Sequence, residues 1–300
     1  MEIRRKTVKK KILLILLVLL IAVSLVACAA SAEDWKLTLA YSVWPDWEPF
    51  IHVAAPLLEE MGYEVTMVDI GGDWSLALEG ILAGDIDVVT QASDFCHLHF
   101  WEAYRDRLIH LGCCGYGAMQ GLAVTPYTDV DTIQELNANV DLFDGEIVGI
   151  EAGSGLMGCT ADAITIYGLN YTLIEGSTAA MVADRDAAVA KGEDWLGVWW
   201  APFWADVAYP MKMLKGDTEL LFGGMDRFYF VARPEFIDEH PAAAQLLMNL
   251  TLSYGDYMDI GGWIAVEELS AGEAAAKWLD QNEHHWTKWF PYPYAFPYVP

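Results

Sequence analysis

WKLTLAYS (Trp35–Ser42), FIHVAAPLLEEMG (Phe50–Gly62) and YEVTMVDI (Tyr63–Ile70) follow closely on one another, and their patterns differ. The outer two are short apolar runs of strand length, rich in Leu, Val and Thr, and the middle one carries apolar residues at helical spacing. The alternation continues: DWSLALEGILAGD (Asp73–Asp85) reads as a helix and IDVVTQ (Ile86–Gln91) as a strand. Strands alternating with helices predict an α/β fold with parallel strands and helical crossovers. Asp46 and Asp73 stand at N-cap positions, and Gly62 and Gly84 stand where helices stop. Farther on, TIQE (Thr132–Glu135) forms a capping box, while GEIVGI (Gly145–Ile150) and YTLIEG (Tyr171–Gly176) read as further strands. No fixed-period repeat and no Ser- or Pro-rich linker interrupts the 300 residues, so any second lobe must be joined through strands.

The beginning of the chain has a different character. Arg4, Arg5, Lys6, Lys9, Lys10 and Lys11 precede an apolar run, ILLILLVLLIAVSLVA (Ile12–Ala27), which reads as a secretory signal. The run is shorter than the roughly 18 to 20 apolar residues of a spanning helix. It ends in LVAC (Leu25–Cys28), which resembles the lipobox of bacterial lipoproteins. That resemblance implies a lipid on Cys28 and a location on the outer face of a membrane; the alternative is an ordinary cleavage site with an incidental cysteine. Residues 1 to 27 hold 6 of the 17 basic and 1 of the 43 acidic residues, so the remainder carries 11 against 42, a formal charge of −31. Such a surface repels nucleic acid and anionic lipid headgroups and favours solubility. Cys96, Cys113, Cys114 and Cys159 contain no CxxC pair and match no zinc or iron–sulfur spacing. Export permits a disulfide, and buried thiols are the alternative.

Two local motifs carry chemistry. In GIEAGSGLMG (Gly149–Gly158), Gly153, Gly155 and Gly158 spell GxGxxG between a strand and a helix, with Glu175 farther on. Taken literally, this is the fingerprint of a dinucleotide-dependent oxidoreductase, a chemistry found mostly inside cells. Its physical content is more general, because free N–H groups at a helix start favour any anion, a carboxylate included. The serine-hydrolase elbow GxSxG is excluded by Ala152 and Leu156. The second motif, WWAPFW (Trp199–Trp204), concentrates aromatic faces, which serve either as core or as a site for a quaternary ammonium that cannot donate a hydrogen bond. An anion cradle together with ring faces fits a small zwitterionic or cationic ligand. No set of catalytic acid, base and nucleophile stands out.

The order of motifs resembles the substrate-binding proteins of glycine betaine ABC importers. It is carried by LAYSVW (39–44), MGYEVT (61–66), GDIDVV (84–89), GLAVTPYTDVDTIQEL (121–136), VGIEAGSGLM (148–157), EGSTAAMVA (175–183), WAPFWADVAY (200–209), FGG (222–224) and AAAKWLDQN (274–282). The resemblance implies a two-lobed periplasmic-binding-protein-like α/β fold of type II with the ligand in the inter-lobe cleft. It divides the chain into a signal peptide (1–27), a tether (28–34), lobe I (35–122 and 223–290), lobe II (123–222) and a Pro/aromatic tail (291–300). It further implies permease and ATPase partners, no cofactor and no catalysis. The family's three-tryptophan cage around a trimethylammonium group maps onto Trp44 and Trp200. Its carboxylate-binding backbone maps onto Gly155 and Leu156, and its assisting histidine onto His97. Two positions depart from the pattern: Ala92 stands where the third cage tryptophan belongs, and Phe203 replaces a histidine. Phe95, Trp101, Trp199, Phe203 and Trp47 are the rings available to fill the gap. Alternatively, the ligand differs: carnitine, proline betaine, choline, another methylated amine, or an amine or amino acid derivative of another class.

Overall fold

The computed structural model describes residues 35–42, 44, 47–71, 74–92, 102–207 and 209–291. Cys28, Asp46, Asp73, Phe95, Cys96, His97, Trp101 and the tail from 292 onward lie outside the described residues. The described residues from 37 onward belong to one compact unit.

The predicted alternation is present. β1 (Lys36–Tyr41), α1 (Glu48–Glu60), β2 (Glu64–Asp69), α2 (Trp74–Ala83) and β3 (Val88–Ala92) follow in that order, and β1 pairs parallel to β3. α1 turns Phe50, Ile51, Val53, Ala54, Leu57 and Leu58 inward, and removing such side chains from water is what holds a helix on a sheet. Gly62 (φ 99°) and Gly84 (φ 83°) adopt the left-handed backbone that ends α1 and α2. TIQE opens a 3-10 helix, Ile133–Ala138, in which the Glu135 carboxylate accepts the Thr132 N–H at 2.9 Å.

What joins the two halves is β4 (Ile109–Val124), a strand of 16 residues. Its first part, to Ala118, pairs antiparallel with β9 (Asp226–Ala232), which in turn pairs antiparallel with β3. From Met119 onward it pairs antiparallel with β7 (Leu196–Ala201). Beyond β7 lie β5 (Glu146–Val148) and β6 (Thr172–Ile174), both parallel to their neighbours, so the strand order is β2-β1-β3-β9-β4-β7-β5-β6. The short β8 (Lys212–Met213) pairs with the end of β4. The arrangement is therefore a mixed sheet rather than a purely parallel one. Register shifts at His110/Cys113, Cys113/Gly115 and Tyr116/Ala118 bend β4 just before it changes partners, as bulges do. α3 (Gly155–Ile166) and α4 (Thr178–Lys191) serve the β5–β6–β7 half. α5 (Pro241–Asn249), α6 (Tyr254–Ala265) and α7 (Ala271–Gln281) follow β9, and α7 packs against both α1 and α6.

Candidate functional site

The loop after β1 begins the site. The Trp44 carbonyl accepts the N–H groups of Trp47 (2.8 Å) and Glu48 (3.0 Å), a tight turn that sets the two indoles edge to face with centroids 4.9 Å apart at 67°. Trp44 is 6% exposed. Its Nε1–H donates to Thr178 Oγ1 at 3.0 Å, at the start of α4. Thr178 is itself fixed by Glu151, donating its hydroxyl to Oε2 (2.8 Å) and its N–H to Oε1 (2.9 Å).

β7 supplies the next ring. Neighbouring residues on a strand face opposite ways, and the two tryptophans of WWAPFW obey that rule. Trp199 is 1% exposed, with the Arg185 guanidinium 5.1 Å from its ring centre and its Nε1–H donated to Asp206 Oδ1 at 3.1 Å. Trp200 points the other way, over Phe203 at 4.0 Å and 33°. Phe203 is fully buried and touches both rings, its centroid also lying 4.8 Å from that of Trp199. Across the ladder, Gln120 of β4 is the direct partner of Trp200, so their side chains share one face.

The third component is the start of α3. Ser154 is its N-cap, accepting the Met157 N–H on Oγ at 3.3 Å. The N–H groups of Gly155 and Leu156 belong to the first turn, where no carbonyl lies one turn earlier to receive them. Oriented N–H groups and the helix dipole make this end attractive to an anion. Of the dinucleotide fingerprint, little remains in the geometry: the third glycine normally permits close helix–strand packing, yet a Cβ on Gly158 meets nothing within 4 Å.

These parts meet around one cavity. Trp44, Trp47, Gln120, Ile150, Ser154, Gly155, Leu156 and Trp200 line it, leaving about 20 Å³ free, room for about one water molecule. The sequence-derived residues Trp44, Trp200, Gly155 and Leu156 are thus brought together, with Trp47 beside them. Gln120 was missed, because a glutamine within a glycine-interrupted run gives no sequence signal, and Thr178 was missed because its part depends on a bond 134 residues away. Ala92 ends β3 opposite Phe228, whose ring lies 6.0 Å from that of Trp47. Cys113, Cys114 and Cys159 are free thiols. Among the described residues no helix is long and apolar enough to cross a membrane.

Residues 36–281 match the family described as the substrate binding domain of the ABC-type glycine betaine transport system. The chain belongs to this glycine betaine substrate-binding family. A curated relative, the glycine betaine/carnitine transport binding protein GbuC of Listeria monocytogenes, is 28% identical over 173 residues, 56% of this chain and 55% of that protein. The match thus spans about half the length of that relative. The fold is shared with solved structures. The glycine betaine/L-proline-binding protein ProX of Borrelia burgdorferi superposes with a TM-score of 0.82 at 24% identity, covering 87% of this chain and 98% of that one. Lactococcal OpuAC in its closed form with glycine betaine gives 0.78 at 24% identity, covering 85% and 99%. A choline binding protein in complex with choline gives 0.78 at 22% identity, covering 85% and 92%. The family fold is the two-lobed α/β periplasmic-binding-protein architecture, and β4 is one of the strands shared by its halves here.

Proposed function

We propose that this chain is the extracytoplasmic solute-binding protein of an ABC importer, holding glycine betaine or a related quaternary or zwitterionic amine between two lobes. The observation that carries the reading is the convergence of Trp44, Trp47 and Trp200 with the α3 N-terminus on one cavity. Ring faces attract a methylated cation electrostatically, each contributing about 0.5 to 2 kcal/mol, and the N–H groups of Gly155 and Leu156 receive the carboxylate. Trp47 supplies the ring that Ala92 lacks, since it packs beside Phe228, the partner of that strand position. Lobe I comprises 35–122 and 223–290 and lobe II 123–222, so Trp44 and Trp200 approach from different lobes and closure assembles the site. With so little free space between the rings, a cation enters only when the lobes part. The closed form then docks on permease and ATPase subunits, and Cys28 anchors the protein through lipid to the outer face of the membrane. The protein catalyses nothing.

Calorimetric titration tests this directly. Glycine betaine, carnitine or choline is expected to bind, and Trp200→Ala to weaken binding at least tenfold, the equivalent of about 1.4 kcal/mol. Absence of heat with all three amines, or an unchanged affinity in Trp200→Ala, overturns the reading.

A further inference from the structure

One group in the cavity has no use in a cage for glycine betaine. Gln120 lines the cavity, sits on the same face of the sheet as Trp200, and its Oε1 is buried with no hydrogen-bond partner among the described residues. An unpaired buried carbonyl oxygen is costly, so such groups in binding sites are commonly completed by what enters the site. Glycine betaine cannot complete this one: its nitrogen is fully methylated, it has no hydroxyl, and its carboxylate is an acceptor like Oε1 itself. We infer, on the basis of the function proposed above, that Gln120 makes this site select an amine bearing a hydrogen-bond donor near its cationic centre. Two chemistries supply such a donor: an ammonium N–H left unmethylated, or a hydroxyl on the carbon skeleton.

The geometry supports the selection in a second way. A cage built of ring faces alone has no polar wall, whereas here a polar amide stands next to Trp200. A hydrogen bond to Oε1 adds attraction for a donor-bearing cation that a fully methylated one does not gain. The anion cradle at Gly155 and Leu156 is unaffected by this choice, so the favoured class is a zwitterion with a carboxylate at one end and a donor beside the cation.

The test is calorimetry with four ligands: glycine betaine (no donor), N,N-dimethylglycine (N–H), carnitine (hydroxyl and carboxylate) and choline (hydroxyl, no carboxylate). The protein is expected to bind N,N-dimethylglycine or carnitine at least about tenfold more tightly than glycine betaine. Which of the two is preferred tells the N–H source from the hydroxyl source. Gln120→Met should remove the preference, and Gln120→Glu, which keeps an acceptor but has no amide N–H, should retain it. If glycine betaine is bound most tightly and Gln120→Met leaves the order unchanged, this inference falls while the proposed function stands. Equal losses for all three carboxylate-bearing ligands in Gln120→Glu would mean that the amide presents its Nε2–H to the anion, and would also overturn it. No heat with any of the four overturns the inference together with the function beneath it.

Discussion

Glu48, the first residue of α1, stands next to the site turn, and its N–H donates to the Trp44 carbonyl. Burial, with a smaller contribution from the Asp69 carboxylate, raises its carboxyl from 4.5 to about 7. A raised carboxyl pKa means that the fold holds this group protonated, so its contribution to stability is complete below about 4.5 and lost as pH rises through about 7. Glu48→Gln, which keeps the shape and removes the titration, is therefore expected to match the parent near pH 4 and to exceed it in Tm by a few degrees near pH 8. Thermal unfolding followed across that range checks this; an equal Tm difference at both pH values would count against it. The nearby His52 ring, lowered by burial and bonded through Nδ1 to the Glu48 carbonyl at 3.0 Å, stays neutral over the upper part of the range. The residues of the cavity were largely legible: Gly155 and Leu156 through the physical signature of a glycine-rich helix start, Trp44 and Trp200 through the family resemblance. Gln120 was not, because an amide is ordinary on any strand until its neighbours are known.

At the scale of elements, β4 decides how the halves are joined. Its IHLGCCGYGAMQGLAV run has too many glycines and too little alternation to read as a long strand, so it is not legible from local pattern. The structure supplies the reason for one of those glycines. A Cβ on Gly115 would stand 2.7 Å from the Phe50 ring, which is fully buried on α1. Close approach of strand and helix at this point requires a residue with no side chain. Gly115→Ala should destabilise the protein by about 1 to 3 kcal/mol, the usual range for overpacking, measured as a fall in denaturation midpoint at unchanged slope. Pairing Gly115→Ala with Phe50→Leu should recover part of the loss, which a purely conformational effect at the glycine would not. α3 behaves differently, since strand, glycine-rich turn and helix were all visible in local sequence, and the structure adds the Ser154 cap. Only the claim of a dinucleotide failed there, on the open space around Gly158.

For the whole molecule, the bond from Trp44 to Thr178 matters most, because it runs between the two proposed lobes. Thr178 holds the indole of a cavity ring while Glu151 holds Thr178, so in the proposed two-lobe reading closure of the cleft would also orient that ring. Thr178→Val preserves shape and removes the hydroxyl. Loss of one buried hydrogen bond of about 1 kcal/mol predicts a bound ligand that leaves roughly fivefold faster, with entry changed much less. Stopped-flow tryptophan fluorescence separates the two rates, and Thr178→Ser should restore the slow release. Unaltered release in Thr178→Val would show that closure does not depend on this bond.

The sequence by itself determined the α/β alternation, the helix stops at Gly62 and Gly84, the acidic surface and the motifs that carry the family, since all of these depend on spacing within a few residues. Only the tertiary structure decided that Trp199 serves the core while Trp200 faces the cavity, that β4 runs through both halves, and that Gln120 and Thr178 join the site. Strand parity separates two adjacent tryptophans but does not say which face is which until the sheet is covered by Arg185 on one side and by Trp44 and the α3 N-terminus on the other. Contacts across more than a hundred residues leave no periodic trace in a chain, and those contacts are what turn separate motifs into one cavity.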